Sequence, residues 1–564
     1  MFNFNLSVKI YRSIDIGGTW VKAMLVTAEE ICNGSEKVVR VRSRLSEEAS
    51  VDNFIEALDE LLGQLEIPLN QICGIGVSTA GVVNYHGTKL ILCAPHLNAL
   101  KSEKWIQYLK SRTSATIVSL INDADAVAIG AARLKYITGN HTYAVLPIGT
   151  GLGCTIVRNG RRWTPNFNLP LLGSIYVPDG CYDKLASASL LEGKSENHNL
   201  QSVFTQDNYK EIKQVYLQNI SGIIETASLL YGVDRVLIGG GLADAASEHG
   251  FADELKNELS KANVAVDIMK EGNKLSLYGA LLLAIGESAS KELMPDNKYV
   301  GLKTEQAYDS SLRLDKMNIK DILNLLNKAE IEAASQLYKS IPQLSMAVEA
   351  MLPRIKNGGR LIYVGCGTSG RLAAVDTVEL SCTFGFPRER VLTFISGGIA
   401  DASIDIETNF EEDASSVPDL LIANISENDC VVGISVSGTA NYVLSALAYS
   451  KSIGAYTIMI QERDITDLPY CDCNIALNTG AEIIAGSTRM KAGTATKKVL
   501  NFMSTSLMIC LGRVHGTFMT EMECLNNKLV KRAVRILTAL YPISEDQALQ
   551  LLKENSLQLN KTIN

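Results

Sequence analysis

No run of apolar residues in this chain approaches the roughly 20 needed to cross a bilayer; stretches such as Leu281 to Ile285 are far shorter. The 12 cysteines are scattered and include no C-x-x-C pair and no zinc-ligand spacing, so neither a disulfide framework nor a zinc module is expected. No basic block interrupts a formal net charge of −8, which removes the electrostatic footprint of a nucleic-acid partner. An anionic substrate must then be held by local loops. Low-complexity tracts and short-period repeats are also missing, and Met1 to Arg12 alternates like a strand with no signal-peptide core. A reducing cytoplasm, without membrane contact, is the expected location.

What is present is ordinary for a folded chain, with 46% hydrophobic and 20% charged residues. At 564 residues the chain exceeds one core, so two domains or more are expected. The first part alternates strands, helical stretches and glycine turns, an α/β pattern. Val8 to Thr27 reads as a hairpin about a glycine turn, and Phe54 to Leu65 has helical spacing, with Ile55, Leu58, Leu61, Leu62 and Leu65 on one face. Gly74 to Thr79, Thr116 to Ile121 and Arg235 to Ile238 read as short buried strands, and Leu281 to Gly286 as part of a closing helix. A polar stretch from Glu287 to Lys303, with Pro295, Asp296 and Asn297, places a linker at 291–302 between domains 1–290 and 303–564. Helical segments then reach Ile355, and Asn357-Gly358-Gly359 marks a turn. The βα units beginning at Leu361, Val391, Cys430 and Tyr456 have the pattern of a doubly wound parallel sheet with flanking helices.

Four turns of the first part carry chemistry. Ser13-Ile14-Asp15-Ile16-Gly17-Gly18-Thr19 follows a strand and turns into another; its glycines let backbone N–H groups approach phosphate oxygens, and Asp15 can orient a hydrated Mg²⁺. Alone, the glycine pair also fits a plain hairpin turn. Asn122-Asp123-Ala124-Asp125 lies between a strand and an alanine-rich helix, where Asp123 is placed to take a proton from a sugar hydroxyl. Ile148-Gly149-Thr150-Gly151-Leu152-Gly153 supplies a second phosphate turn, and Gly239-Gly240-Gly241 ends a strand and enters a helix. In that order, these pieces resemble the ROK family of sugar kinases, within the actin-like ATPase fold, over about residues 8 to 290. The resemblance implies Asp123 as catalytic base and nucleotide loops at Asp15, Gly17, Gly18, Thr19, Gly149, Thr150, Gly151, Gly239, Gly240 and Gly241, served by ATP and Mg. It also implies sugar contacts at Thr79, Gly81 and Asn122. Where the family carries Gly-Glu-x-Gly-His and a cysteine-rich zinc loop, this chain reads Leu171-Leu172-Gly173-Ser174-Ile175-Tyr176, followed only by Cys181. No structural zinc is expected, and the sugar specificity does not carry over.

In the second part, Val364-Gly365-Cys366-Gly367-Thr368-Ser369-Gly370 fits G-x-G-x-x-G between a strand and a helix. A dinucleotide site needs an acidic residue at the end of the next strand, but Val391 to Ile395 runs into Ser396-Gly397-Gly398, which disfavours NAD. Hydroxyls and backbone N–H groups at a helix N-terminus suit a sugar phosphate instead. Ser435-Val436-Ser437-Gly438-Thr439 repeats the arrangement after the next apolar strand. Either turn alone also fits serines that cap helices; the pair is the mark of the sugar isomerase (SIS) fold. Within it, Gly365 to Arg371, Glu379, Thr383-Phe384-Gly385, Gly486 to Ala495 and the opening Thr304-Glu305 closely resemble N-acetylmuramic acid 6-phosphate etherases, from about 303 to the end of the chain. The resemblance implies substrate and phosphate contacts at Gly367, Thr368, Ser369, Ser435, Ser437, Thr439, Ser487, Arg489 and Lys491. Ser437-Gly438-Thr439-Ala440-Asn441 replaces the usual Ser-Gly-Arg-Thr-Pro, which alters the phosphate grip there.

The lactyl ether at C3 of such a substrate lies β to the C1 aldehyde of the open-chain sugar. Removing the C2 proton gives an enolate-like species that expels lactate, and water then adds at C3. A base at C2 and an acid/base at the C3 oxygen each contribute about 10²–10⁴-fold, with no metal or organic cofactor required. The resemblance places Glu379 near the C3 oxygen. Spacing does not find it, since a straight helix from Gly370 puts Glu379 roughly 13 Å from the phosphate loop. The site therefore needs a bend or a second subunit, and a homodimer is expected. A carboxylate at a helix end also fits plain solvation. For the C2 base Glu412 is the choice, with Glu407 the competitor if no insertion precedes Glu411-Glu412-Asp413.

Joined on one chain, the two halves imply a bifunctional enzyme of cell-wall amino sugar recycling, acting on amino sugars and sugar phosphates. The kinase would phosphorylate N-acetylmuramic acid or a related sugar, and the etherase would release D-lactate and N-acetylglucosamine 6-phosphate. A reading from a different class is a sugar-phosphate sensor like the glucokinase regulatory protein; Glu379 argues for catalysis, because that regulator lacks the carboxylate. An isomerase or a transcriptional regulator ranks last, since no helix-turn-helix precedes Lys9.

Overall fold

The structure, a computed structural model, describes residues 10–27, 37–65, 72–84, 87–93, 95–112, 118–139, 141–163, 172, 175–177, 180–187, 203–204, 206, 209–260, 264–293, 303–397, 415–465, 467–522, 524 and 526–563. The chain divides into two compact units, Met1–Glu292 with Gly397–Asp401 and Asp413–Ile425, and Leu293–Ser396 with Ala402–Glu412 and Ser426–Asn564.

The first unit contains two five-stranded sheets of the same design. In one, β1 (Ile10–Ile16), β2 (Trp20–Thr27) and β3 (Lys37–Arg42) form an antiparallel meander, and β4 (Ile72–Thr79) and β5 (Val118–Asn122) extend it in parallel, in the order β3-β2-β1-β4-β5. In the other, β6 (Thr142–Pro147), β7 (Thr155–Arg158) and β8 (Arg161–Arg162) form the meander and β9 (Arg235–Gly239) and β10 (Ala265–Ile268) the parallel extension.

Burial on both faces explains the apolar strands. Ile14 and Ile16 pack against Phe54, Leu58 and Leu61 of helix α1 (Val51–Gly63), whereas Tyr11 packs with Leu277 and Leu281 of α5 (Gly272–Leu293). Between them in sequence lie α2 (Asp123–Arg133), α3 (Lys210–Tyr231) and α4 (Gly240–Glu248). The closing helix α5 lies directly on the backbone of β4, because a Cβ at Gly76 would fall 1.7 Å from Ala280 O. It runs to Leu293, three residues into the expected linker. Residues 294–302 of that linker lie outside the described residues.

The second unit opens with α6 (Ile319–Gln336) and α7 (Ile341–Lys356). Its sheet contains β11 (Leu361–Gly365), β12 (Val391–Ile395), β13 (Cys430–Ile434), β14 (Tyr456–Gln461) and β15 (Cys473–Ala476), all parallel, in the order β12-β11-β13-β14-β15. Four of the strands start at the residues expected from the sequence, but among the described residues no helix separates the strand at Tyr456 from β15, a fifth strand not expected from the sequence. Helices α8 (Gly367–Phe384), α9 (Asn441–Ser452) and α10 (Lys491–Cys510) flank the sheet. Its core joins Leu344 and Met351 of α7 to Tyr363, Val432 and Ile458 of the sheet and to Val499 and Met503 of α10. Helices α11 (Asn527–Leu540) and α12 (Glu545–Glu554) pack on each other through Leu537, Ala548 and Leu552. The strand order reverses between β11 and β13, so the loops leaving these two strands flank the crevice where open α/β sheets bind ligands. Among the described residues no helix is long and apolar enough to cross a membrane.

Candidate active sites

In the first unit, parallel pairing sets Asp15 of β1 opposite Ser78 of β4, whose hydroxyl donates to Asp15 Oδ1 at 2.9 Å. Lys22 across the hairpin stands 3.7 Å from Oδ2. Strand β5 ends at Asn122, which caps α2: its side-chain oxygen accepts from Ala124 N at 3.0 Å, and its amide donates to Gly81 O at 2.8 Å. The expected sugar-side loop, Thr79 to Gly81, is thereby tied to the helix that carries Asp123. Asp123 accepts from Ala124 N at 2.8 Å. Burial, with the charges of Asp15 and Asp125 adding to it, pushes the Asp123 carboxyl up to about 6. Such a group is ionised at neutral pH yet basic enough to accept a hydroxyl proton in a transition state.

The glycine turns of the two sheets, expected to bind the nucleotide, meet. The hydroxyls of Thr19 and Thr150 are 3.3 Å apart, the turn from Gly149 to Gly151 closes through Gly149 N–H to Gly151 O at 2.9 Å, and Ile148 N donates to Gly239 O at 3.1 Å. Gly17 N–H donates to Trp20 O at 2.9 Å, closing the hairpin beside Gly18. Gly240 has φ +72°, and a Cβ there would lie 2.8 Å from Ile148 O and 2.9 Å from its N, while Gly241 continues into α4. Both the left-handed backbone and the close approach demand glycine. Gly240→Ala is therefore expected to displace the Ile148 turn and lower kcat/KM for ATP about 100-fold, read in a steady-state assay with ATP varied.

Two residues escaped the sequence reading. Asp183 Oδ1 accepts from Leu152 N at 2.7 Å and so pins the Gly149–Gly153 turn, and the His96 ring stands beside Gly18, 3.0 Å from where a Cβ would be. Neither sits in a recognisable spacing, since Asp183 belongs to a five-residue helix and His96 to a 3₁₀ turn. Among the described residues no three His, Cys, Asp or Glu side chains form a cation cage. Asp15, near the end of β1 and beside the Gly17–Thr19 turn, is the carboxylate that would hold a Mg²⁺ together with phosphate oxygens and water.

In the second unit, both serine turns leave the sheet at its reversal point. Gly365 ends β11 against the first turn of α8, where a Cβ would meet Gly370 N at 2.7 Å. Gly370 in turn abuts Ile395, a Cβ there lying 2.9 Å from its side chain. These two glycines thus serve close packing, while Gly367 (φ +48°), exposed Thr368 and half-buried Ser369 form the open N-terminal turn of α8, which has no side-chain cap. At the second turn Ser435, Ser437 and Thr439 link through their hydroxyls, at 3.4 and 2.6 Å, and Ser435 Oγ accepts from Ala440 N at 3.4 Å.

The third loop, Gly486 to Met490, is held to the unit's opening segment by Gly486 N–H to Thr304 O at 2.8 Å. Ser487 is half-buried and Arg489 exposed. Lys491 is buried, its ammonium donating to Ala481 O at 2.8 Å above the Tyr308 ring. Its neighbour Glu482, fully buried, accepts from Lys491 N at 3.1 Å and Ala492 N at 2.9 Å, capping α10 from a distance. Burial raises the Glu482 carboxyl, against the pull of those two N–H groups. Glu482→Ala strips both donors of their acceptor and is expected to destabilise this unit by about 2–4 kcal/mol, measured by chemical denaturation; Glu482→Gln should lose less.

Helix α8 runs unbroken to Phe384, so Glu379 stands three turns from the Gly367 loop, exposed at the surface. One turn earlier the buried Asp376 accepts from Tyr363 Oη at 2.8 Å and Ser504 Oγ at 3.1 Å, locking this part of α8 to the sheet and to α10. Glu407, Glu412 and Gly398 lie outside the described residues, as do Leu171, Gly173 and Ser174.

Residues 11–287 match the model of the ROK family, and residues 343–451 that of the Glucokinase regulatory protein N-terminal SIS domain. The chain thus joins a ROK family domain to a SIS domain. Over 262 residues, 46% of this chain and 88% of the relative, it is 40% identical to N-acetylmuramic acid 6-phosphate etherase 2 of Bacillus licheniformis. Over 256 residues, 45% of this chain and 82% of the relative, it is 42% identical to N-acetylmuramic acid 6-phosphate etherase of Prochlorococcus marinus. The chain belongs to the N-acetylmuramic acid 6-phosphate etherase family. Among solved structures, a ROK family glucokinase from Streptomyces griseus in complex with glucose and AMPPNP is 18% identical, with a TM-score of 0.40, covering 49% of this chain and 99% of its own. The protein is an enzyme, an etherase by family that carries a ROK family domain.

Proposed function

We propose that this chain catalyses two consecutive steps on one amino sugar. The first unit transfers the γ-phosphate of ATP to the C6 hydroxyl of N-acetylmuramic acid or a related sugar, and the second cleaves the lactyl ether of N-acetylmuramic acid 6-phosphate. The observation that carries the reading is the 40% identity to an etherase over 88% of that relative's length, on a chain whose other half carries the raised carboxyl of Asp123 among phosphate turns.

In the kinase step Asp123 accepts the hydroxyl proton, and the turns at Gly17 to Thr19, Gly149 to Gly151 and Gly239 to Gly241 hold the nucleotide's phosphates through backbone N–H groups. Asp15 would hold a Mg²⁺, whose charge would offset that of the transferred phosphoryl group. In the etherase step a carboxylate removes the C2 proton, and Glu412 is our assignment for it. The electrons left at C2 break the C3–O bond, and Glu379 protonates the departing lactate oxygen. Water then adds its oxygen to C3, giving a proton to Glu379, and C2 is reprotonated. The products are N-acetylglucosamine 6-phosphate and D-lactate.

Glu379 reaches a substrate at a Gly367 loop only across subunits, and its surroundings suit that role. Val375 and Val378 beside it are 49% and 62% exposed, and Phe502 and Ile509 on neighbouring α10 are 43% and 52% exposed. A second copy of the chain would cover this apolar strip and complete the site. The match to the regulatory-protein SIS model favours a second reading, a sugar-phosphate sensor attached to the kinase. D-lactate assayed after adding N-acetylmuramic acid 6-phosphate without ATP separates the two. Release supports the etherase; binding without release supports the sensor.

A further inference from the structure

We propose that Arg463, at the end of β14, is the cation that binds the substrate's phosphate at the Ser435–Thr439 turn. The proposal rests on the etherase reading and adds a binding residue to it. The turn itself is neutral: Ser435 to Asn441 contains hydroxyls, a glycine, aliphatic residues and an amide but no lysine or arginine. Lys491, the buried cation of the third loop, is engaged with Ala481 O and the Tyr308 ring. A phosphate dianion at the serine turn would then meet no cation from the turn itself or from Lys491, and the exposed Arg489 belongs to the third loop, so a charge fixed at this turn must come from a neighbouring strand.

Arg463 provides it. Strand β14 lies next to β13 in the parallel sheet, so its C-terminal end emerges beside the serine turn. The guanidinium Nη2 stands 3.3 Å from Gly438 O, and Nε is buried without a hydrogen-bond partner. The backbone beneath it is fixed. Asn474 donates to Arg463 O at 3.0 Å while accepting from Gln461 Nε2 at 2.8 Å. The buried Gln461 presses on the turn itself, its Oε1, also without a partner, lying 2.0 Å from where a Cβ at Gly438 would be. Glu462 between them is buried and accepts from Thr479 Oγ1 at 2.9 Å and Gly480 N at 2.6 Å. A residue anchored through the two positions before it, with an incompletely satisfied planar cation against the backbone of a hydroxyl-lined turn, is a built anion-binding position. The arginine missing from the turn, where Thr439 stands, is thus replaced from the adjacent strand.

The test uses the full chain, with N-acetylmuramic acid 6-phosphate as substrate and N-acetylglucosamine 6-phosphate as competing product. Arg463→Ala is expected to raise KM and the product's Ki together by about 10- to 100-fold, with kcat within about threefold. Arg463→Lys should fall between, since it keeps the charge but not the planar fork. Arg463→Gln can still donate to Gly438 O without a charge, so it should be as weak as alanine; wild-type KM in this variant would mean that Arg463 only braces the turn. A fall in kcat at constant KM, or no change in KM and Ki, would overturn the proposal. If the wild type releases no lactate, the etherase reading fails separately, and calorimetric titration with N-acetylglucosamine 6-phosphate still decides the role of Arg463. Binding by the wild type that Arg463→Ala loses supports it, and equal binding, or none by either chain, sinks it.

Discussion

Asp123→Asn is expected to lower sugar phosphorylation by about 10²–10⁴-fold while leaving lactate release from a sugar 6-phosphate unchanged. The asparagine keeps an acceptor for Ala124 N and much the same volume, so what is lost is the base. With the carboxyl raised to about 6, the wild-type kcat/KM for the sugar should be flat above pH 7 and fall tenfold per unit below about pH 6, a dependence that the variant lacks. Stability gives an independent reading of the same group. An acid whose folded pKa lies above its unfolded value of 3.8 has its full stabilising contribution below that value and loses it as pH rises through about 6. Asp123→Asn should therefore raise the kinase unit's melting temperature at pH 8 and have little effect at pH 4. A variant equally stabilised at both pH values would contradict a raised Asp123.

Glu379→Ala is expected to reduce lactate release by at least about 100-fold, with sugar phosphorylation unaffected. The side chain is exposed on α8, so its removal should change stability by less than about 0.5 kcal/mol. An intact fold with a silent etherase is therefore the signature of a carboxylate used in chemistry. A surface glutamate without a role would leave the rate where it was. Because α8 runs unbroken from Gly367 to Phe384, complementation is also expected: mixed dimers of Glu379→Ala with a chain defective at Ser437 should regain part of the activity that neither shows alone. Complementation of this kind requires that the two residues serve one site from different subunits.

Much of the second unit was legible in the sequence. Three apolar runs of strand length, from Leu361, Val391 and Cys430, are each followed within two residues by glycine or serine, and with the run from Tyr456 they suggest a parallel sheet; the serine turns sit at its reversal point. Other features have no local signature. The repeated meander design of the first unit cannot be seen as a sequence repeat, because the two sheets share topology and not residues. Gly76 and Gly279 are packing glycines for α5, with a Cβ at Gly279 lying 1.9 Å from Ala126 O, a contact that no spacing reveals. Asp183, Glu482 and Arg463 act on loops 31, 9 and 25 residues away along the chain, beyond any helical or strand period. Lys491 shows the reverse case, a residue prominent in a family motif whose side chain turns into the core. Glu379 came from family resemblance alone, for helix geometry carries it away from the phosphate loop.

Whether one chain performs both steps in order is decided most directly by D-lactate release from unphosphorylated N-acetylmuramic acid. No lactate is expected without ATP, lactate with Mg-ATP, at least about 100-fold less from Asp123→Asn or Glu379→Ala alone, and restored release when the two variants are mixed. Lactate from the 6-phosphate but never from the free sugar with Mg-ATP would contradict that order, leaving an etherase joined to a kinase for some other sugar.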